Sequence, residues 1–292
     1  MRDVRIRSAL AGAAVVLALL LGYGIGRAND AGTPNAAASP TAVPAHQHGP
    51  SGPAPTGGDP ANGLSVSAIG YTLYAETTTI QPDTETTFTF RIIGPGRKPV
   101  TTFATVHEQQ LHLIVVRRDL TGYQHLHPTM DASGTWKVSL RLPGPGVYRA
   151  YADFSAIADG NTKPVILGVD LTAPGSYSPQ PLPAAAREAP AGPLTVSMEG
   201  TPHAGGIDAV YFRISAAGAP ATQDVQPYLG SYAHLVAVRE GDLAISHAHG
   251  DELTDIGIRC WLATPGPGRY RLFLDFKQAD TVHTATYTQV VP

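Results

Sequence analysis

The most informative part of the sequence is Val106-His-Glu-Gln-Gln-Leu-His-Leu-Ile-Val-Val-Arg-Arg-Asp-Leu-Thr-Gly-Tyr-Gln-His-Leu-His-Pro128. Two β-prone runs separated by a polar turn predict a β-hairpin that carries His112, His125 and His127. Adding 122 to each number gives His234, His247 and His249 in a second segment, Pro227-Tyr-Leu-Gly-Ser-Tyr-Ala-His-Leu-Val-Ala-Val-Arg-Glu-Gly-Asp-Leu-Ala-Ile-Ser-His-Ala-His-Gly250. The spacing His-x12-His-x-His therefore occurs twice.

The same offset relates other parts of the chain. It maps Pro143-Gly-Pro-Gly146 and Tyr148 onto Pro265-Gly-Pro-Gly268 and Tyr270, with no insertion or deletion between these matches. Constant spacing of this kind indicates a duplicated domain.

Composition and patterning favour strands over helices. The chain has 31 glycines and 26 prolines, and short runs such as Thr86 to Ile93 alternate as half-buried strands do. A Gly-x-Tyr follows each Pro-Gly corner, which is typical of the tyrosine corner of immunoglobulin-type sandwiches. The predicted fold is all-β: two tandem immunoglobulin-like antiparallel β-sandwiches after an N-terminal transmembrane helix and a disordered linker. The single cysteine, Cys260, is expected to be a buried strand residue.

Five segments are predicted. Residues 1–26 form a signal-anchor, because three arginines precede an uncharged run of about nineteen residues, which just spans a bilayer. Residues 27–62 are a disordered Pro/Ala/Gly-rich tether, 63–174 the first sandwich, 175–192 a Pro-rich linker and 193–292 the second sandwich. The positive-inside rule then predicts a single-pass protein of the cytoplasmic membrane with extracytoplasmic domains, or a secreted protein if the anchor is cleaved.

Charge and motifs exclude several functions. A net charge of -3 and a pI of about 6.4 give no basic surface for nucleic acid. Neither a nucleophile with a base, nor a carboxylate dyad, nor a phosphate-binding loop is recognisable, so the chain is not expected to be an enzyme.

The duplicated histidines are the candidate site. Residues two apart on a strand share a face, and a hairpin turning near residues 118–120 places His112 opposite His125 or His127. Three imidazoles on one face can ligate zinc, and imidazole also suits copper. We therefore predict one three-histidine metal site in each repeat, for either copper or zinc. The candidate ligands are His112, His125, His127, His234, His247 and His249.

Other readings stay open at this point. The histidines could instead form a buried network bonded to backbone carbonyls in each domain. Asp153 and Asp275, also duplicated, could orient an imidazole, although a salt bridge with Arg149 or Arg271 is favoured. Further residues that could approach a site are His107, Met130, Asp131, Asp251 and Glu252, whereas His203 and His283 are expected to be structural or surface residues.

The residues also carry a resemblance. Leu111 to Leu120, His125-Leu-His-Pro128 and Leu142-Pro-Gly-Pro-Gly-Val-Tyr-Arg149 resemble the core of uncharacterised membrane-anchored bacterial extracytoplasmic proteins. They are more distantly similar to the YtkA-like and CopC-like β-sandwiches associated with copper handling. CopC-like proteins typically also use a histidine at the mature N-terminus, which this sequence lacks.

The resemblance and the extracytoplasmic location favour copper over zinc as the cofactor, so we expect a membrane-tethered protein that binds, buffers or delivers copper outside the cytoplasm. Because ligating histidines must be neutral, its metal affinity is expected to fall below about pH 6. The alternative hypothesis is a structural or adhesive module that binds an unknown protein partner and uses the histidines as internal scaffolding.

Overall fold

The computed structural model describes residues 62–158, 160–250 and 252–292. The predicted anchor at 1–26 and all of the predicted tether but its last residue lie outside this range. Within the described residues, no helix has the length and hydropathy that crossing a bilayer requires.

The first repeat is built from short strands and one long hairpin. Its strands are β1 (Ser67–Ala68), β2 (Tyr71–Ala75), β3 (Thr86–Ile93), β4 (Phe103–Ala104), β5 (Leu111–Arg117), β6 (Gln124–Leu126), β7 (Thr129–Met130), β8 (Thr135–Leu140), β9 (Gly146–Ala158) and β10 (Asn161–Ala173). They form two antiparallel sheets, ordered β1-β2-β3-β8-β7 and β10-β9-β5-β6, with β4 on β9.

The second repeat follows the same plan. Its strands are β11 (Glu188–Ala191), β12 (Leu194–Glu199), β13 (Ile207–Ala216), β14 (Ala219–Pro220), β15 (Val225–Gln226), β16 (Ala233–Arg239), β17 (Ile245–Gly250), β18 (Glu252–Thr254), β19 (Gly257–Ala263), β20 (Gly268–Gln278) and β21 (Thr281–Val291). A short 3-10 helix, Thr222–Asp224, precedes β15. The sheets are ordered β11-β12-β13-β19-β18 and β15-β20-β16-β17, with β14 on β13 and β21 on β20. The all-β prediction is thus confirmed.

Each repeat has its own apolar core between its two sheets. In the first, Phe88 and Trp136 on one sheet face Leu113 on the other. In the second, Phe212 and the buried Cys260 face Leu235. Strand alternation therefore places one side of every inner strand in a core, as the sequence pattern predicts.

The predicted tyrosine corners are present. The hydroxyl of Tyr148 donates to the carbonyls of Pro143 and Gly144, at 2.8 and 2.9 Å. Tyr270 donates to the carbonyl of Gly266 at 2.7 Å. Both phenols are fully buried, so each bond satisfies a polar group that would otherwise be costly to bury.

The segment between the repeats is more ordered than a linker. Residues 188–191, predicted as linker, form strand β11, which pairs with β12. Upstream, the backbone N–H of Gln180 donates to Asp119, and Leu182 packs against a third apolar cluster. Proline-rich composition did not indicate these contacts, because they depend on surfaces supplied by both repeats.

The third apolar cluster lies between the two sandwiches. It joins residues of β5 and β9 to residues of β16, β17 and β20, on the sheet faces opposite the two cores. Tyr123 stacks on Phe273, with ring centroids 4.0 Å apart, and the hydroxyl of Tyr151 donates to the carbonyl of Leu243 at 2.7 Å. The cluster consists of Ile114, Val116, Leu120, Tyr151, Val236, Val238, Leu243, Ile245 and Phe273. The histidine-bearing sheets therefore pack against each other.

Candidate metal centre

The strand register places each histidine trio on one face, as predicted. In the second repeat His234 pairs directly with His249 across β16 and β17. In the first repeat Leu113 pairs with Leu126, and continuing that register by one residue sets His112 opposite His127. The alternate residues Leu113 and Leu235 lie in the cores, so all six imidazoles project from the opposite face.

The two trios meet in one cluster between the repeats. His112, His125, His234 and His247 each offer a ring nitrogen, and these four nitrogens lie within 4.8 Å of one another. His112 Nδ1 lies 3.0 Å from His125 Nε2. The structure thus assembles a four-histidine set from both repeats, where the sequence predicted a separate three-histidine site in each. The cause is the third apolar cluster, which buries the histidine-bearing face of each sheet against the other.

Hydrogen bonds orient three of these imidazoles. His247 Nδ1 lies 2.7 Å from Asp153 Oδ2, and His125 Nδ1 lies 3.3 Å from Asp275 Oδ2. His234 Nε2 lies 3.0 Å from the carbonyl oxygen of Tyr228. Because a carboxylate or carbonyl only accepts, the neutral imidazole donates at that nitrogen and carries its lone pair on the other one. Metal-ligating histidines are commonly oriented in this way.

Each of the two aspartates contacts a histidine of the opposite repeat. Asp153 of the first repeat contacts a histidine of the second, and Asp275 of the second contacts a histidine of the first. The favoured prediction of a salt bridge to the nearby arginine is wrong: Arg149 pairs with Asp170, and Arg271 bonds to Thr288. A single repeat could not reveal this exchange, because each carboxylate points away from its own domain.

Several buried ring nitrogens have no hydrogen-bond partner among the described residues. A buried polar atom without a partner is uncommon in a native protein and calls for an explanation such as an ion. These nitrogens are His112 Nε2, His127 Nε2, His234 Nδ1, His247 Nε2 and His249 Nε2. In His234 and His247, the nitrogen without a partner is the one that carries the lone pair, because the other ring nitrogen donates a hydrogen bond.

Burial disfavours the protonated form of five histidines in the cluster. Burial, with repulsion from neighbouring imidazoles, lowers the pKa of His112 to about 2. Burial is also the main cause that lowers the pKa of His127 and of His234 to about 4. The pKa values of His247 and His249 fall well below the usual value for the same reasons. Neutral imidazole is the form that ligates metals.

The two carboxylates differ in their environment. Burial raises the pKa of Asp153 to about 6, and nearby imidazoles limit the increase. Burial would raise the pKa of Asp275 as well, but hydrogen bonds from His125, Thr284 and Tyr123 outweigh it and lower this pKa. Asp275 is therefore held as a buried anion beside the cluster.

The remaining predicted residues divide into two groups. His127 and His249 flank the four-histidine set, and His107 stacks on His249 with ring centroids 3.6 Å apart. The others lie elsewhere: Met130 packs on the first core, Asp131 caps a turn with Ser133, Glu252 pairs with Arg259, His203 pairs with Asp208 and His283 stacks on Phe276. Asp251 lies outside the described residues.

Sequence reasoning missed three contributors: the carbonyl of Tyr228, and the hydroxyls of Tyr123 and Thr284, which both donate to Asp275. One signal was available. Ile114 and Val116 share the histidine face, and the repeat keeps apolar residues there at Val236 and Val238. Apolar residues on both faces of a duplicated strand indicate that the second face is buried too.

The donor set fits a transition metal. Four neutral imidazoles match the nitrogen preference of zinc and copper. His112, His125, His234 and His247 would hold such an ion through their ring nitrogens. The aspartates and the Tyr228 carbonyl would remain on the outer nitrogens.

Comparison with known proteins gives the following. No curated protein sequence matches the chain. The solved structure of the Escherichia coli adhesin FdeC is 12% identical, with a TM-score of 0.25, over 76% of this chain and 64% of that one. The Yersinia pseudotuberculosis adhesin InvE is 12% identical, with a TM-score of 0.23, over 75% of this chain and 58% of that one. The chain thus spans less than two thirds of either. One family model, described as Domain of unknown function (DUF8832), matches residues 66–170 and 189–292, so the chain belongs to this family and contains two copies of its domain.

Proposed function

We propose that the protein binds one transition-metal ion between its two repeats. The observation that carries this proposal is the set of four histidines, two from each repeat, whose ring nitrogens lie within 4.8 Å of one another. Buried nitrogens without partners among the described residues, and outer nitrogens bonded to carboxylates or a carbonyl, support it. A structural network alone would leave the partnerless buried ring nitrogens unexplained.

Copper is the proposed ion and zinc the alternative. Imidazole suits both, and the resemblance to copper-handling β-sandwiches favours copper. In this proposal a pair of immunoglobulin-like sandwiches, tethered to the membrane by the N-terminal segment, binds or buffers the ion outside the cytoplasm. The cluster supplies four ligands, so the protein holds an ion rather than activating a substrate on an open coordination position.

A titration with stoichiometry tests the proposal. The full-length protein is titrated with copper and, separately, zinc, beside variants His112→Ala and His234→Ala, with His203→Ala as the matched control. A shared site predicts one tight equivalent, lost in either cluster variant and retained in the control. Two equivalents that fall to one in each cluster variant would contradict a shared site and restore separate sites.

The alternative is an adhesive or partner-binding module in which the histidines only hold the repeats together. The two similar solved structures are adhesins, and the resemblance to them is one of β-rich architecture. The same titration separates the two functions. If the cluster variants lose thermal stability while the wild-type protein binds neither metal more tightly than the variants do, the histidines are scaffolding.

A further inference from the structure

A cleft lies on one side of the junction between the repeats, apart from the histidine cluster. It has a volume of about 300 Å³. The turn at residues 120–123 forms its wall in the first repeat, while Arg271, Phe273, Thr284 and Thr286 line it in the second. Nothing in the proposed metal site uses the guanidinium in this cleft.

Arg271 is a half-buried cation without a compensating anion. Its Nη1 donates to Thr288 Oγ1 at 3.0 Å, and no carboxylate among the described residues pairs with it. Burial lowers the pKa of this arginine, which shows the cost of keeping its charge there. Removing a charge from water is unfavourable unless a partner compensates it, so this site favours an anion.

In the first repeat, the equivalent arginine has a carboxylate partner. Arg149 pairs with Asp170 at 2.8 Å, and its Nε and Nη2 donate to the carbonyl of Gly63 at 3.1 and 2.7 Å. Asp170 pairs with Arg149 across the hairpin just as Thr288 pairs with Arg271. The second repeat therefore has a neutral hydroxyl where the first has a carboxylate.

In the first repeat, the backbone of residues 63–65 fills the equivalent space. The N–H of Gly168 donates to the carbonyl of Ser65 at 2.9 Å, and a Cβ on Gly168 would lie 2.0 Å from the oxygen of Gly63. Strand pairing makes Thr286 the counterpart of Gly168, since they face Phe273 and Tyr151 respectively. The Cβ of Thr286 prevents a backbone segment from lying as close to it as Gly63 lies to Gly168. The cleft beside Thr286 is therefore open to a small ligand.

We propose that this cleft binds a small organic carboxylate, held by the guanidinium of Arg271. A planar carboxylate accepts two parallel hydrogen bonds from a guanidinium, the geometry that arginine provides. The hydroxyl of Thr286 is placed to add a third bond. Leu120 and Phe273 give the cleft an apolar side, which favours a carboxylate with an apolar body over an inorganic anion.

Two residues of the cleft also bond to Asp275, the carboxylate beside the histidine cluster. The hydroxyls of Tyr123 and Thr284 donate to Asp275, which lies against His125. The carboxylate site does not depend on a metal, so it is tested on metal-free protein.

Binding of benzoate to the full-length, chelator-treated protein tests the proposal by NMR or calorimetry. We expect saturable binding, a loss of about 10- to 100-fold in Arg271→Gln, and a similar loss in Thr288→Asp, which gives Arg271 an internal carboxylate like that of Arg149. Arg149→Gln is the matched control and should keep its affinity within about twofold.

Three results would overturn the proposal. They are the absence of saturable benzoate binding, equal affinity in Arg271→Gln or in Thr288→Asp with both folded by thermal melting, and inorganic phosphate binding as tightly as benzoate. The last would assign the cleft to oxyanions in general. Because none of these results involves a metal, they leave the proposed metal site to its own titration.

Discussion

Two imidazoles of the cluster, those of His125 and His247, are each oriented by a carboxylate of the opposite repeat. His247 is held by Asp153 at 2.7 Å, and this contact fixes which nitrogen carries the proton. Without it, the ring could rotate or change tautomer, and the lone pair on Nε2 would no longer point consistently into the cluster. In the proposed metal site, affinity would therefore depend on a carboxylate that is not itself a ligand.

This dependence can be measured in Asp153→Asn. We expect metal affinity to fall by about 10- to 100-fold, because an amide orients the imidazole less strongly than a carboxylate does. The measurement is a competition titration with a chromophoric chelator. Asp170→Asn is the matched control, since that carboxylate pairs with Arg149 on the same sheet. An equal loss in the control, or none in Asp153→Asn, would contradict this role.

Strand β5, which carries His112, is buried on both faces, and each face packs against a different part of the molecule. Leu113 lies in the core of the first sandwich, whereas Ile114 lies in the apolar cluster between the repeats. Both side chains are fully buried. One face therefore stabilises the domain, and the other holds the two histidine trios together.

Two variants on this strand distinguish the effect of the core face from that of the face between the repeats. Leu113→Ala and Ile114→Ala should each lower the free energy of unfolding by about 2–4 kcal/mol, since both remove buried methyl groups. Only Ile114→Ala should also weaken metal binding, because it loosens the surface that brings the trios together. Chemical denaturation and metal titration of both variants check this. Equal metal affinities in the two variants would show that inter-repeat packing does not control the site.

For the whole molecule, the burial of neutral histidines makes stability depend on pH. In the native protein the histidines with a lowered pKa resist protonation, whereas in the unfolded chain they take up protons below about pH 6.5. The unfolded state then binds more protons, so stability is complete above that pH and falls as the pH decreases towards 4. For His234, whose pKa falls to about 4, the full effect is roughly 3 kcal/mol. Asp153, with its pKa raised to about 6, acts in the opposite direction and offsets one such histidine.

We expect the metal-free protein to lose several kcal/mol of stability between pH 6.5 and 4.5, as measured by urea denaturation at fixed ionic strength. In His112→Asn the slope of stability against pH should decrease by up to one proton. A flat profile in this range would contradict neutral burial. The same lowered pKa values shift the expected loss of metal binding to a pH below the value of about 6 inferred from the sequence.

Local rules made the strands and their faces predictable. Alternation identified β3 over Thr86–Ile93 and the core side of β5. The turn between His112 and His125 limited the hairpin to two registers, and the structure has the one that sets His112 opposite His127. The tyrosine corners followed from Gly-x-Tyr. These features depend on residues close in sequence or paired across one hairpin. The duplicated spacing added the number of repeats.

Alternation and the repeated spacing are enough to establish a duplicated all-β protein with two histidine trios, each on one sheet face. Three features appear only in the folded molecule: the trios meet in one cluster, Asp153 and Asp275 contact the opposite repeat, and Arg271 bonds to a hydroxyl where Arg149 pairs with a carboxylate. They could not be predicted because periodicity specifies which face of a strand is apolar but not what covers that face. The covering surface here is the other copy of the same domain, whose matching apolar residues bury both histidine faces at once.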